Sequence, residues 1–319
     1  MNQNFSRRQV VSTVLAGAAG LALSPLLSLG QDAPGKGKKV LFFTRSADFP
    51  HPVVTRKSPD ELAFAEKAFK DAVTAVGYDV TVSKDGRLFD PDKIGQWDAF
   101  AFYTTGRLTD AVGARGNSDK SNGMSAAGLA AFFKAIESGK GFMGFHCASD
   151  TFHSQKNEDL VRPVEAPATV DPYIAMLGGE FIKHGAQQKA TIRVADNTFP
   201  GFAGLKDYEM TEEWYGLVNL DPKMHVLLVQ DTKTMIRPNG QAEAPYQRDP
   251  YPNTWAKRFG QGRVFYTSMG HREDVWTNPI FQTVMKSGLA WISGNVDAQT
   301  PPNLETACPA LAKTMKGTA

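Results

Sequence analysis

Histidines that follow predicted strands are the residues of this sequence best placed to do chemistry. The chain has six histidines, and His146, His184 and His271 each end or follow a short apolar run beside glycine or other small residues. His51 lies in the loop after the first such run. Because the carboxyl ends of parallel strands meet at one edge of a sheet, we expect His146, His184 and His271 to converge on a ligand. A single isolated histidine is more often a structural residue bonded to a backbone carbonyl.

Acidic residues in the same loops could supply a general base or support a metal ion. Asp150 follows His146 by four residues, and Glu212 and Glu213 are adjacent in the second half of the chain. Neighbouring residues on a strand point to opposite faces, so we expect only one of the two glutamates to face the site.

Three imidazoles with a carboxylate could bind Zn²⁺ or another divalent ion with an open position, to polarise a carbonyl or lower the pKa of a bound water to about 7. The catalytic candidates are His146, Asp150, Glu213 and His271. The candidate metal ligands are His146, His184 and His271. A metal-free acid–base site built from the same residues is the alternative.

Aromatic residues near these loops are candidates for substrate binding, and they are Trp214, Tyr215 and Trp276, together with His51. A tryptophan beside a polar cleft is the platform that a sugar ring prefers, although burial in the core is an equally frequent fate for this residue. Cys147 directly follows His146, but adjacent side chains on an extended turn diverge. A thiol nucleophile activated by its neighbour is therefore the least favoured chemistry.

The elements that must position these residues alternate between strand and helix in the first half of the chain. Apolar runs predict strands over 39–44, 78–83, 99–104 and 141–146, and helical spacing of apolar residues predicts helices over 59–76 and 125–137. This alternation is typical of an α/β fold with a doubly wound parallel sheet. Later strand-like segments predict antiparallel additions to the same domain before a closing helix over 278–292; they cover residues 190–194, 208–215, 225–229, 255–259 and 263–268.

Composition and charge exclude several classes of protein. The sequence is 42% hydrophobic and 21% charged, as in globular proteins. Arg7 and Arg8 are the only charged residues among the first thirty, so the remaining chain carries as many basic as acidic residues. That balance removes electrostatic attraction as an argument for nucleic acid or an anionic membrane as a partner. Two cysteines, Cys147 and Cys308, are too few for a disulfide framework.

The two ends of the chain differ from its body. Ser6-Arg7-Arg8 followed by an uncharged stretch over 10–29 looks like a twin-arginine signal over 1–33, which predicts a periplasmic or secreted protein without a stable membrane span after signal removal. An N-terminal membrane anchor is the alternative. Residues 296–319, with Pro301-Pro302, are predicted to form a loosely attached C-terminal tail.

Four segments together resemble a known family. Residues 144–150, 177–184, 212–215 and 262–276 resemble, in this order, the ThuA-like family, which is named for trehalose utilisation. The resemblance spans residues 40–293 and implies one domain over 38–295, with a flavodoxin-like α/β fold similar to class I glutamine amidotransferases. In those amidotransferases the turn after the corresponding strand carries a cysteine nucleophile. His146 occupies that turn here, so the resemblance implies the fold without the amidotransferase activity.

The resemblance also implies a role in sugar metabolism. We expect a small-molecule saccharide or an oxidised keto sugar as substrate, with isomerisation, elimination or hydrolysis at a His/carboxylate site that a metal ion assists. The alternative is a non-catalytic sugar-binding protein in which Trp214, Tyr215 and Trp276 stack on rings. The loop over 45–51 departs from the family pattern, which usually has a glycine before the aromatic residue and no proline. This departure weakens the transfer of a role to His51.

Overall fold

A nine-stranded mixed sheet is the framework of the computed structural model, which describes residues 35–111, 119–154, 170–235 and 243–317. The predicted signal segment over 1–33 lies outside these residues. The strands of the described residues are β1 (Lys39–Phe43), β2 (Asp79–Ser83), β3 (Ala99–Phe102), β4 (Gly141–Phe145), β5 (Glu180–His184), β6 (Gln188–Val194), β7 (Tyr208–Glu212), β8 (Tyr215–Val218), β9 (His225–Asp231), β10 (Tyr251–Phe259) and β11 (Gly262–Thr267). The α-helices are α1 (Phe64–Thr74), α2 (Ala126–Glu137), α3 (Pro172–Leu177), α4 (Glu273–Thr277), α5 (Pro279–Ile292), α6 (Leu304–Ala307) and α7 (Pro309–Gly317).

The first half of the large sheet is parallel. Its strands are ordered β2-β1-β3-β4-β11, and every neighbouring pair among them is parallel. This is the strand order of the flavodoxin-like doubly wound fold, so the predicted fold class is confirmed. The apolar runs that predicted these strands arise because helices cover both faces of the parallel sheet, so successive side chains are buried on either side. Phe42 packs against Phe69 of α1 with ring centroids 4.2 Å apart, and Phe102, on β3, stacks on Phe132 of α2 at 5.2 Å.

The second half of the large sheet is antiparallel, as predicted, with order β11-β10-β9-β6-β7. The strand predicted over 208–215 is divided. Its first part, β7, ends the large sheet, whereas its second part, β8, pairs with β5 in a separate two-stranded sheet. Glu213 and Trp214 form the junction between the two strands, and this break places Glu213 in a loop.

Helix α1 begins five residues later than its sequence pattern predicts. Pro59 was expected at the start, but the helix begins at Phe64. The Glu66 carboxylate accepts a hydrogen bond from the backbone N–H of Ala63 at 2.9 Å, which satisfies a donor that the first helical turn leaves unpaired. Arg56 donates to the same carboxylate oxygen at 2.7 Å and ties the preceding loop to the helix.

The C-terminal segment is packed, and the prediction of a loosely attached tail is wrong for its described residues. Helices α6 and α7 bury Leu304, Cys308 and Leu311 in the hydrophobic core. Cys308 lies at the bend between the two helices, so these buried side chains come from α6, from α7 and from the residue that joins them. Cys308 is therefore a core residue.

No helix of the described ranges is long and apolar enough to cross a bilayer.

Candidate metal centre

His146 occupies a strained turn directly after β4. Its backbone φ is +42°, in the left-handed region that residues with a side chain rarely adopt. The ring is fully buried, and Nδ1 donates a hydrogen bond to the carbonyl oxygen of Ser268 at 2.8 Å. Because a carbonyl can only accept, this contact assigns the proton to Nδ1. The lone pair of Nε2 is left facing the Glu213 carboxylate, with Oε2 3.4 Å away.

Three imidazoles and one carboxylate converge at this turn. One ligand atom from each of His51, His146, Glu213 and His271 lies within 4.8 Å of the others. Nδ1 of His271 is 3.0 Å from Glu213 Oε2. The ring centroid of His51 is 5.2 Å from that of His146 and 5.4 Å from that of His271. We call these four residues the His₃Glu cluster.

The donor atoms of the His₃Glu cluster fit a divalent metal ion. Nδ1 of His51, Nε2 of His146 and Nδ1 of His271 are buried and make no well-aligned hydrogen bond. Leaving a buried polar group unsatisfied costs about 1–3 kcal/mol, so three such nitrogens around one carboxylate call for a cation. Three nitrogens and one carboxylate oxygen form a donor set that Zn²⁺ accepts. The Nδ1–H of His146 on a backbone carbonyl is the usual support for a ligating histidine.

The charges at the cluster suit ligation. Burial alone would raise the pKa of the Glu213 carboxyl, but His146 and His271 outweigh burial and hold that pKa well below its usual range. Burial lowers the pKa of His51 and of His146. A metal ion would supply the positive charge that keeps Glu213 ionised while the buried rings of His51 and His146 give up their protons to bind it.

Glu212 holds the backbone around the cluster. Its Oε2 accepts hydrogen bonds from the N–H groups of Gly270 at 2.7 Å and His271 at 3.1 Å, and its Oε1 accepts from the N–H of Glu213 at 2.8 Å. Gly270 has a φ of +122°, which favours glycine over any residue with a side chain. Burial raises the pKa of Glu212 to about 7. Of the two adjacent glutamates, only the Glu213 side chain contacts the imidazoles, and it does so from the loop after β7 and not from a strand.

The structure places His51 in the His₃Glu cluster and His184 outside it, whereas the sequence predicted His184 as a metal ligand and His51 as a substrate-binding residue. His184 is 44% exposed and lies outside the His₃Glu cluster, with Nδ1 donating to the carbonyl of Gly185 at 2.9 Å and lying 3.5 Å from Glu213 Oε1. His51, expected to bind substrate, is a member of the cluster. The reason is topological, because β5, which ends at His184, belongs to the two-stranded sheet and not to the parallel one.

Asp150 lies outside the His₃Glu cluster. Its carboxylate binds His153 Nε2, and Nδ1 of the same ring lies 3.1 Å from Glu180 Oε1. Glu180 also accepts a hydrogen bond from Asn219. Backbone strain accompanies this arrangement, since Phe152 and Asn219 have φ of +54° and +52°. Asp150 therefore joins the turn after β4 to the two-stranded sheet.

The pairing of His153 predicts a loss of stability at alkaline pH. Burial lowers the pKa of His153, but Asp150 and Glu180 outweigh it and raise the pKa to about 9. The folded protein therefore holds this proton more tightly than the unfolded chain, whose histidines titrate near 6.5. The contribution, up to about 3 kcal/mol, is complete below pH 6.5 and is lost as pH rises through 9. Urea unfolding of the wild type and of His153→Gln at several pH values between 6 and 10 measures it. Equal pH dependence in the two proteins would contradict the prediction.

The predicted tryptophan platforms are core residues. Trp214 and Trp276 are fully buried, and their indole N–H groups donate to the carbonyls of Gln188 and Gly270, both at 2.8 Å. Neither ring offers a face to a ligand. Tyr215 is also buried, with its ring centroid 3.9 Å from that of His146 and its hydroxyl 3.2 Å from Nε2 of His51. It supports two members of the cluster.

Cys147 is a buried thiol without an activating partner. It is 1% exposed, and burial raises its pKa well above the usual value. The two ring nitrogens of the neighbouring His146 face Ser268 and Glu213. A thiolate nucleophile needs a lowered pKa and access, and Cys147 has neither.

Phe49 is the residue at the site that sequence reasoning missed. It is 57% exposed, and its ring centroid lies 5.2 Å from that of His51, at an interplanar angle of 89°. The available signal was a large apolar residue two positions before His51, in the loop after the first strand. Its exposure became visible only in the structure.

The fold and the site together define an α/β protein with a buried His₃Glu cluster beside the carboxyl end of β4. The family model described as ThuA, trehalose utilisation, matches residues 39–292, and the chain belongs to this family. The fold is similar to that of a ThuA-like protein from Bacteroides uniformis ATCC 8492, with 17% identity, a TM-score of 0.58, and coverage of 83% of this chain and 94% of that one. A ThuA-like protein from Parabacteroides merdae ATCC 43184 matches at 17% identity and a TM-score of 0.53, covering 86% and 97%. No curated protein compared matches this chain.

Proposed function

We propose that this protein is a metal-dependent enzyme that acts on a saccharide or an oxidised keto sugar, exported by the twin-arginine route. The observation that carries the proposal is the convergence of His51, His146, His271 and Glu213, with buried nitrogens that make no well-aligned hydrogen bond. Family membership supports sugar as the substrate class.

A bound divalent ion would supply Lewis-acid polarisation of a sugar oxygen. The chain's own residues orient the site. Ser268 fixes the ring of His146 through its carbonyl, and Glu212 fixes the backbone of Glu213 and His271. Nδ1 of His184 is committed to the Gly185 carbonyl, which leaves its Nε2 as the atom that can take a proton from a sugar carbon or hydroxyl group.

A non-catalytic sugar-binding protein finds less support in the arrangement. That alternative needed Trp214, Tyr215 and Trp276 as stacking surfaces, and all three are buried. A binding protein also has no need of three imidazoles around one carboxylate in a buried position. The arrangement favours an enzyme over a protein that binds a sugar without changing it.

Metal analysis combined with turnover tests the proposal. Protein purified without a histidine tag is expected to contain one divalent ion per chain by elemental analysis. It should convert trehalose that carries a ketone in one ring, and a chelator should stop turnover until the metal is restored. Protein that binds none of Zn²⁺, Mn²⁺, Fe²⁺ or Co²⁺, or turnover that a chelator leaves intact, would contradict the metal-dependent mechanism.

A further inference from the structure

Two exposed side chains lie beside members of the His₃Glu cluster. The rings and carboxylates that contact the cluster, including Tyr103, Tyr215 and Glu212, are buried. Phe49, beside His51, and His184, beside Glu213, are the exceptions among these described contacts, with exposures of 57% and 44%. Phe49 and His184 are therefore the described side chains beside the cluster that a molecule in solvent can contact over a large part of their surface.

Phe49 is held in this exposed position by its backbone. The hydroxyl of Thr105 donates to the carbonyl of Phe49 at 2.9 Å, and the N–H of Ala47 donates to the carbonyl of Thr105 at 2.9 Å. The guanidinium of Arg45 is buried and donates to the carbonyl of Asp110 at 2.9 Å, so the start of the loop is anchored as well. The loop thus presents an aromatic ring to solvent from a fixed backbone, directly beside a residue of the cluster.

The chemistry of an exposed aromatic ring selects a class of ligand. An aromatic face is complementary to the C–H face of a sugar ring, and Phe49 offers such a face to solvent beside His51. We propose that Phe49 is the platform on which a pyranose ring of the substrate stacks. This inference rests on the proposed function, and it gives Phe49 the role that the sequence suggested for Trp214 and Trp276. An open-chain polyol has hydroxyl groups for the cluster but no ring to stack.

Phe64 provides a matched control for Phe49. It is the other large exposed hydrophobic residue among those described, at 38% exposure, and it begins α1. It lines a groove with Leu62 and Thr277. Truncation of either phenylalanine removes an exposed aromatic ring, but only Phe49 lies beside the His₃Glu cluster.

Binding measurements on zinc-loaded full-length protein test the proposal. Trehalose, the ketone derivative of trehalose and open-chain glucitol serve as probes, with affinity measured by calorimetry. We expect Phe49→Ala to weaken binding of both ring sugars about 10-fold with unchanged zinc content, and to leave glucitol binding unchanged. Phe49→Trp should restore or strengthen binding of the ring sugars, whereas Phe64→Ala should bind like the wild type.

The outcomes separate this inference from the proposed function. Wild-type protein that binds neither ring sugar overturns both. Wild-type binding that Phe49→Ala weakens no more than Phe64→Ala overturns only the role of Phe49. Loss of zinc in Phe49→Ala also overturns that role, because it would show that the ring supports His51 instead of contacting the sugar.

Discussion

Replacing Glu213 with glutamine is expected to abolish binding of a divalent ion, whereas replacing His184 with glutamine is expected to leave it intact. Oε2 of Glu213 lies 3.0 Å from Nδ1 of His271 and 3.4 Å from Nε2 of His146, and it supplies the negative charge of the cluster. His184 lies outside the cluster and faces solvent. Loss of a charged ligand should weaken zinc binding at least 100-fold, since even an outer-shell partner contributes about 10- to 100-fold.

Zinc titration by calorimetry and elemental analysis of the purified variants measure this difference. Glu209→Gln is the matched control, because Glu209 is an exposed glutamate on β7, close in sequence to Glu213. The result would be contradicted if Glu213→Gln kept its ion. If His184→Gln lost the ion, the ligand set suggested by the sequence, His146, His184 and His271, would be supported instead.

Replacing Trp276 with alanine is expected to lower the free energy of unfolding by about 3–5 kcal/mol, the usual cost of truncating a fully buried tryptophan. The ring packs against Phe145 at 5.3 Å and Phe281 at 5.2 Å between centroids, and its N–H donates to the carbonyl of Gly270. The substitution leaves a cavity and removes one of the two side-chain donors to the Gly270 carbonyl, beside His271, so metal affinity should fall as well.

Urea unfolding measures the effect of the Trp276 substitution. Phe64→Ala, at an exposed position, should change the free energy of unfolding by no more than about 0.5 kcal/mol. A sugar-stacking role for Trp276 makes the opposite prediction, namely near-normal stability with weakened sugar binding. That pattern would place the ring at the surface and contradict the core position described above.

Local patterns predicted the parallel half of the fold well, because those strands are covered on both faces and read as continuous apolar runs. They predicted the C-terminal segment poorly. Leu304, Cys308 and Leu311 lie among prolines and lysines, on two short helices and the bend between them, so no long helical period marks them as buried. The strand pattern over 208–215 likewise concealed a break, since both halves are β-like and only pairing with different sheets separates them.

The sequence by itself determined the α/β class, the family resemblance and the expectation that His146 and His271 lie close together. Strand patterns are local, and a residue that directly follows a parallel strand must lie at the carboxyl edge of the sheet. Only the tertiary structure decided that His51 and Glu213, and not His184, complete the cluster. It also decided that Trp214 and Trp276 are buried while Phe49 is exposed. These outcomes depend on which strands pair and which loops pack together, and such contacts between distant parts of the chain leave no period or spacing in the sequence.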